Sequence, residues 1–212
     1  MKLKTRLTSA SGAVVLALVL AGCGTGEEAA EPGDTTAETT AAQETTTAES
    51  TGGEVDEQHN DADTMFAQMM IVHHKGAIEM ADLAVEKAES EEVRNLAEGI
   101  SAAQGPEIEQ MTSWLEVWGE DTSGDTGHMD HGGMDMGGMS QEEAMAELEG
   151  LSGTEFDRRF LELMIEHHKG AVEMAQTELA DGENPQALEL AQKIIGDQQA
   201  EITQMEQMLQ SL

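Results

Sequence analysis

Aromatic residues are scarce in this sequence of 212 residues. Tyrosine is absent, and the three Phe and two Trp make up only 2% of the chain. A hydrophobic core must therefore rest on Leu, Ile, Val, Ala and Met, and Met occurs 15 times. Basic residues are also few, with 10 Lys and Arg against 43 Asp and Glu and a net charge of −33. Nucleic-acid binding needs a basic surface, so this balance excludes that partner and favours cations.

Cysteine occurs once, at Cys23, which excludes a disulfide framework and a thiolate metal site. It follows a basic and then apolar N-terminus that is typical of an export signal, and its stretch LAGC resembles a bacterial lipobox. We predict that residues 1–22 are a lipoprotein signal peptide and that Cys23 is lipidated. The protein is then extracytoplasmic and anchored to the bacterial cell membrane by lipid, because the apolar run is too short to span a bilayer.

The next segment, residues 23–54, consists mainly of Thr, Ala, Glu and Gly. Such a composition cannot bury enough apolar surface to offset the entropy lost on ordering, so it predicts a disordered acidic tether. Residues 55–212 are expected to form one domain.

That domain contains an internal duplication. Residues 70–81 read MIVHHKGAIEMA and residues 164–175 read MIEHHKGAVEMA, identical at ten of twelve positions. In both copies apolar residues recur at spacings of three and four, which predicts two amphipathic helices per copy. We therefore predict an all-α four-helix bundle made of two duplicated αα hairpins, over residues 55–120 and 141–212, with a short helix at the start of the second range. Residues 121–140 are a Met/His/Gly-rich loop between them.

Local signals refine this prediction. Asp61 or Asp63 is expected to cap the first helix, and Thr154 with Asp157 to form a capping box on its duplicate. Pro106, after Gly105, predicts an interruption and kink in the second helix. An exposed face carrying Trp114 and Trp118 is a candidate dimer contact.

The paired histidines straddle the apolar stripe of their helix, and the partner helix carries polar residues on its core face. A carboxylate and an amide on a core face are costly unless paired. We expect them to face the histidines, with Glu107 and Glu201 either accepting imidazole N–H groups or binding metal directly. The candidate metal ligands are Met70, His73, His74, Met80, Met164, His167, His168 and Met174. The candidate supporting or alternative ligands are Gln104, Glu107, Met111, Gln198, Glu201 and Met205.

The interhelix loop supplies further donors in the stretch HMDHGGMDMGGM. Its candidate metal-capture residues are His128, Met129, His131, Met134, Met136 and Met139. Thioethers in a glycine-rich loop suit an exchangeable site, although a plain flexible linker is the alternative.

Ligand chemistry selects the metal. Thioether is a soft donor that suits Cu(I), and imidazole binds both oxidation states of copper, although other transition metals also accept such donors. A ferritin-type di-iron site would need Glu-x-x-His motifs, and no Glu lies three residues before any of the paired histidines. A His, Glu and Gln hydrogen-bond network without metal remains an alternative.

The stretches FAQMMIVHHKGAIEMA and FDRRFLELMIEHHKGAVEMA, with QGPEIEQMTSWL and QQAEITQMEQML, strongly resemble the CopM-like family, a domain of unknown function (DUF305). The resemblance covers about residues 60–212. It implies a ferritin-like bundle and extracytoplasmic copper binding that helps cells tolerate copper. The resulting hypothesis is a protein that sequesters, buffers or traffics copper, with an unknown copper-accepting partner and no enzymatic activity. A di-metal or copper-dependent redox enzyme and a metal-free envelope structural module are the alternatives.

Overall fold

The computed structural model of the protein describes residues 54–122 and 138–212. Within these ranges the chain forms five α-helices and no strand. The helices are α1 (Asp61–Lys87), α2 (Glu91–Trp118), α3 (Gln141–Gly150), α4 (Gly153–Asp181) and α5 (Pro185–Ser211). Helices α1 and α2 form one hairpin, α4 and α5 form the second, and α1 packs along α4. The predicted all-α bundle of two helical hairpins is confirmed.

The N-cap residue of α1 differs from the predicted one. Asn60, rather than Asp61 or Asp63, is the N-cap, and its side-chain oxygen accepts two backbone N–H groups of the first turn. Asp63 closes the capping box by accepting the Asn60 N–H at 2.7 Å. It also reaches the other hairpin, where it accepts the backbone N–H groups of Glu183 at 3.1 Å and Asn184 at 2.9 Å. Asp63 therefore holds the turn between α4 and α5.

The start of α4 also supplies a carboxylate to the turn of the other hairpin, although its own N-cap differs from that of α1. The capping box predicted from Thr154 and Asp157 is wrong: Ser152 is the N-cap and makes no side-chain cap bond. Asp157 instead accepts the backbone N–H groups of Glu89 at 3.0 Å and Ser90 at 2.8 Å, in the turn between α1 and α2. The carboxylate is drawn there because these two amides lie in the turn just before α2, where no helical carbonyl accepts their hydrogen bonds. Each hairpin's turn is thus capped by a carboxylate from the other hairpin.

The bundle interior has two apolar clusters with a polar layer between them. One cluster uses the C-terminal half of α1 and the N-terminal half of α4, with α3 packed on it. The other uses the N-terminal half of α1 and the C-terminal half of α4. Buried His, Gln and Glu side chains lie between the two clusters along each long helix. The fold therefore places polar side chains at mid-height in the bundle.

Two further expectations need correction. Helix α2 continues through Pro106 without a break. Pro106 and Ala102 are both exposed, so water can reach the Ala102 carbonyl that proline leaves without a backbone donor. Trp114 and Trp118 are buried, with 1% and 9% of their surface exposed. His59 stacks on Trp118 with ring centroids 4.6 Å apart, so the residues before α1 cover the predicted tryptophan face. No helix in the described ranges is long and apolar enough to cross a bilayer.

Candidate metal centre

Four histidines form a buried layer across the middle of the bundle. His73 and His74 lie on α1, His167 and His168 lie on α4, and each is at most 4% exposed. Because α1 packs along α4, the rings of His73 and His167 meet, with centroids 3.7 Å apart and planes tilted by 44°. We call these four residues the histidine layer. The duplication therefore brings two copies of one motif to a single place.

The second histidine of each pair is held by a glutamate of its own hairpin. The Nε2 atom of His74 lies 2.8 Å from Glu107 Oε2, and that of His168 lies 2.7 Å from Glu201 Oε2. A carboxylate only accepts hydrogen bonds, so Nε2–H donates, and in the neutral form of such a ring the lone pair lies on Nδ1. The glutamates thus fix which nitrogen of each ring is available.

Those available nitrogens are buried acceptors without partners. Among the described residues, Nδ1 of His74 and His168 has no hydrogen bond, nor do the amide oxygens of Gln104 and Gln198. An unsatisfied buried polar group costs roughly 1–3 kcal/mol, so a layer holding several of them is unusual for a purely structural network. Imidazole lone pairs in this position can serve as metal ligands. Within residues 54–122 and 138–212, no three His, Cys, Asp or Glu side chains are grouped to hold one metal ion.

Lys193 is a member of the site that sequence analysis missed. Its Nζ donates to Glu107 Oε1 at 2.7 Å, which links α5 to α2. Burial raises the pKa of Glu107, but the hydrogen bonds from His74 and Lys193 outweigh it and hold that pKa below its usual 4.5. Glu107 is therefore ionised at neutral pH. The equivalent position in the first hairpin is Gly99, so the duplication gave no signal for this contact.

The imidazole of His167 is neutral at physiological pH. Burial, followed by repulsion from the neighbouring layer histidines, lowers its pKa well below 6.5. A neutral ring keeps a lone pair, whereas an imidazolium has none to offer a metal. Burial thus favours the protonation state that metal binding requires.

A cavity of about 240 Å³ leads to His73 and His167 from the side of α3. Gln141, at the start of α3, lies at this cavity and donates from Nε2 to the Gly76 carbonyl at 3.0 Å. A Cβ atom on Gly76 would sit 3.0 Å from Gln141 Oε1, so glycine permits this close approach. Sequence analysis missed both residues, although a glycine inside a helical motif can indicate such a contact.

Residues 63–209 match the family described as a domain of unknown function, DUF305. The protein belongs to the DUF305 family. A DUF305 protein of Streptomyces coelicolor is 33% identical with a TM-score of 0.62, over 71% of this chain and 93% of that chain. CopM in its Cu(II)-bound form is 36% identical with a TM-score of 0.60, over 70% and 96%. CopM in its Cu(I)-bound form is 35% identical with a TM-score of 0.59, over the same shares. No curated protein matches the chain.

The motif methionines of this DUF305 chain lie on both sides of the histidine layer. Met70 and Met111 belong to one apolar cluster, with Met174 packed against it. Met80, Met164 and Met205 belong to the other cluster. All are fully buried except Met174, which is half-buried. They fill the core next to the layer, and their role as ligands stays a prediction.

The remaining predicted residues of the DUF305 chain fall mostly outside the described ranges. These are Cys23 and the loop residues His128, Met129, His131, Met134 and Met136. Residues 1–22 and nearly all of the predicted tether fall there as well. Met139 is described, and it is half-buried against the core, with its sulfur 4.0 Å from Arg159 Nη2. Met139 therefore belongs to the packed start of α3 rather than to an open loop.

Proposed function

We propose that this DUF305 protein binds copper outside the cytoplasm and sequesters, buffers or passes it on. The histidine layer is the proposed core site, with His73, His74, His167 and His168 as imidazole donors and the motif methionines as soft donors beside them. Copper is cargo in this role, held by neutral ligands that suit Cu(I) and by imidazoles that also suit Cu(II). Glu107 and Glu201 orient the rings and balance the positive charge of the bound ion.

One observation carries this proposal. The glutamates occupy Nε2 of His74 and His168 and leave both Nδ1 atoms buried without partners. A network built only for stability would satisfy these atoms. The related protein CopM, which is 33–36% identical, is known in Cu(I)-, Cu(II)- and silver-bound forms, which supports copper as the ion.

A competition titration tests the proposal. The full chain is titrated with Cu(I) against a chromophoric chelator, and the copper removed from the chelator is measured. We expect the variant with all four layer histidines changed to Ala to lose at least one equivalent of tight binding. The matched control is His59→Ala, because His59 lies outside the layer and stacks on Trp118. A parent protein that takes no copper at micromolar metal would refute the proposal and favour the metal-free structural module.

The loop and the membrane anchor are separate parts of the proposal. We propose that the Met and His residues of 128–136 capture copper more weakly, and a variant with them changed to Ser should lose low-affinity binding alone. Lipidation of Cys23 predicts that the protein fractionates with membranes and that Cys23→Ser releases it. Steady oxygen consumption by the copper-loaded protein would instead favour a redox enzyme.

A further inference from the structure

A second group of sulfur and carboxyl side chains lies outside the histidine layer. It lines an open groove of about 390 Å³ between the N-terminal half of α1 and the C-terminal half of α4. We call this the thioether groove and define it by Met65, Met69, Met174 and Glu178. Met65 is 43% exposed, and Met69 and Met174 are half-buried. Met65 and Met69 are therefore not enclosed in the core, which is the usual place of methionine at helical spacing, and Met174 borders both the core and the groove.

The internal duplication allows the thioether groove to be compared with the equivalent surface of the other hairpin. Three groove residues differ from their equivalents 94 positions away: Met65 matches Arg159, Met69 matches Leu163, and Glu178 matches Ala84. On that equivalent side α3 covers the surface, with Leu148 fully buried and Glu147 paired with Arg159 at 2.9 Å. The thioether groove has sulfur and carboxylate where its equivalent has ordinary packing and a covering helix.

Glu178 is the unusual member of this group. Its side chain is 1% exposed and lies against the Asp63 carboxyl group, and neither of its oxygens meets a backbone N–H or a basic side chain among the described residues. It packs so closely against Gly182 that a Cβ atom there would overlap it. A buried carboxyl group is normally paired with a donor or a cation. Glu178 lines the groove together with Asp61 and Asp181, so a bound cation would meet acidic side chains as well as sulfur.

We propose that the thioether groove binds a soft monovalent cation, Cu(I) or Ag(I), through the sulfur atoms of Met65, Met69 and Met174, with the acidic side chains Asp61, Glu178 and Asp181 at its wall balancing the charge. Thioethers are neutral and soft, so they select such ions over Zn²⁺, Ca²⁺ or Mg²⁺. The groove contains none of the four layer histidines. Met174 is common to the groove and to the motif methionines of the proposed core site, so Met65 and Met69 are the residues that distinguish the two sites.

The test uses Ag(I) as a redox-inert probe of the full chain, labelled with ¹³C at the methionine methyl groups. Each methyl signal is assigned by a Met→Leu variant, and silver nitrate is added stepwise. We expect the signals of Met65, Met69 and Met174 to shift together and to saturate at one equivalent. The same titration of the four-histidine variant should leave these shifts in place. Met208→Leu is the matched control, because Met208 is half-buried at the opposite end of the bundle.

Two variants complete the test. Met65→Leu with Met69→Leu should remove one equivalent of Ag(I) while leaving binding at the histidine layer unchanged. Glu178→Gln keeps the shape of the side chain and should weaken the groove by at least about tenfold, the scale on which charged supporting groups act at metal sites. Groove methyl signals that stay fixed while silver binds elsewhere overturn the inference and leave the proposed function standing. Groove signals that respond equally in Glu178→Gln overturn the role of the carboxylate.

Discussion

Asp157→Ala is the change for which the structure gives the clearest magnitude. Asp157 is 1% exposed and accepts backbone N–H groups from Glu89 at 3.0 Å and Ser90 at 2.8 Å. A hydrogen bond to a charged group contributes about 1.5–3 kcal/mol, and both bonds would be lost together. Water can reach the partly exposed turn and recover some of this. We therefore expect the free energy of unfolding to fall by about 2–4 kcal/mol, a large part of the stability of a typical domain.

The assay is urea unfolding of the metal-free protein at pH 7, followed by far-ultraviolet circular dichroism. Asp82→Ala is the matched control, because Asp82 is exposed and has only a 3.4 Å contact from Ser101, so it should change stability by less than about 0.5 kcal/mol. Asp63→Ala should resemble Asp157→Ala, because Asp63 caps the other turn. An unfolding free energy for Asp157→Ala equal to that of Asp82→Ala would refute the idea that the hairpins are held by exchanged caps.

Three further outcomes are expected from the metal-free protein. Burial and the nearby Asp63 carboxylate raise the pKa of Glu178 from 4.5 to about 8. The folded state then keeps a proton that the unfolded state loses, so the contribution of Glu178 to stability should fall between about pH 4.5 and 8 and level off above, and thermal unfolding should show the parent losing stability relative to Glu178→Gln across that range. Gly182→Ala should lower the free energy of unfolding in urea by about 1–3 kcal/mol, because the new Cβ atom would overlap Glu178. The loss should be smaller when Glu178 is also changed to Ala. Lys193→Met should raise the pKa of Glu107, measured by carboxyl ¹³C shifts. It should change the free energy of unfolding by less than about 1 kcal/mol, because Lys193 is half exposed. An unchanged Glu107 pKa would contradict the ion pair between Lys193 and Glu107.

Helix type and pairing could be predicted from the sequence because the apolar period and the duplication both act along the chain. The caps of Asp63 and Asp157 could not, because their partners lie more than sixty residues away and depend on how the hairpins meet. A local rule assigned both carboxylates to their own helix, whereas the tertiary fold adds remote partners for Asp63 and replaces the expected local partner of Asp157 with remote ones. The prediction that Trp118 is exposed was wrong for the same reason, since His59, which precedes α1, stacks on it.

The histidine layer was only partly accessible to sequence reasoning. The helical spacing of the His pairs and of Glu107 indicated that they share a core face, but it did not show which histidine of a pair contacts the glutamate. The structure separates them, because His74 contacts the glutamate of its own hairpin and His73 contacts its duplicate across the bundle. Lys193 lay outside the repeat pattern altogether, since its equivalent is Gly99. Contacts that break the internal symmetry cannot be found from the symmetry.

The exchanged caps have a consequence for the origin of the bundle. A single hairpin has no carboxylate for its own turn, because Asp63 and Asp157 each serve the other half. Before the duplication, one hairpin would have received this cap from a second copy of itself, in a two-fold symmetric dimer. The meeting of His73 with His167 would then have been one histidine touching its symmetry mate. Under that origin, each half could later gain residues that its equivalent lacks, as with Lys193 and Glu178, whose equivalents are Gly99 and Ala84.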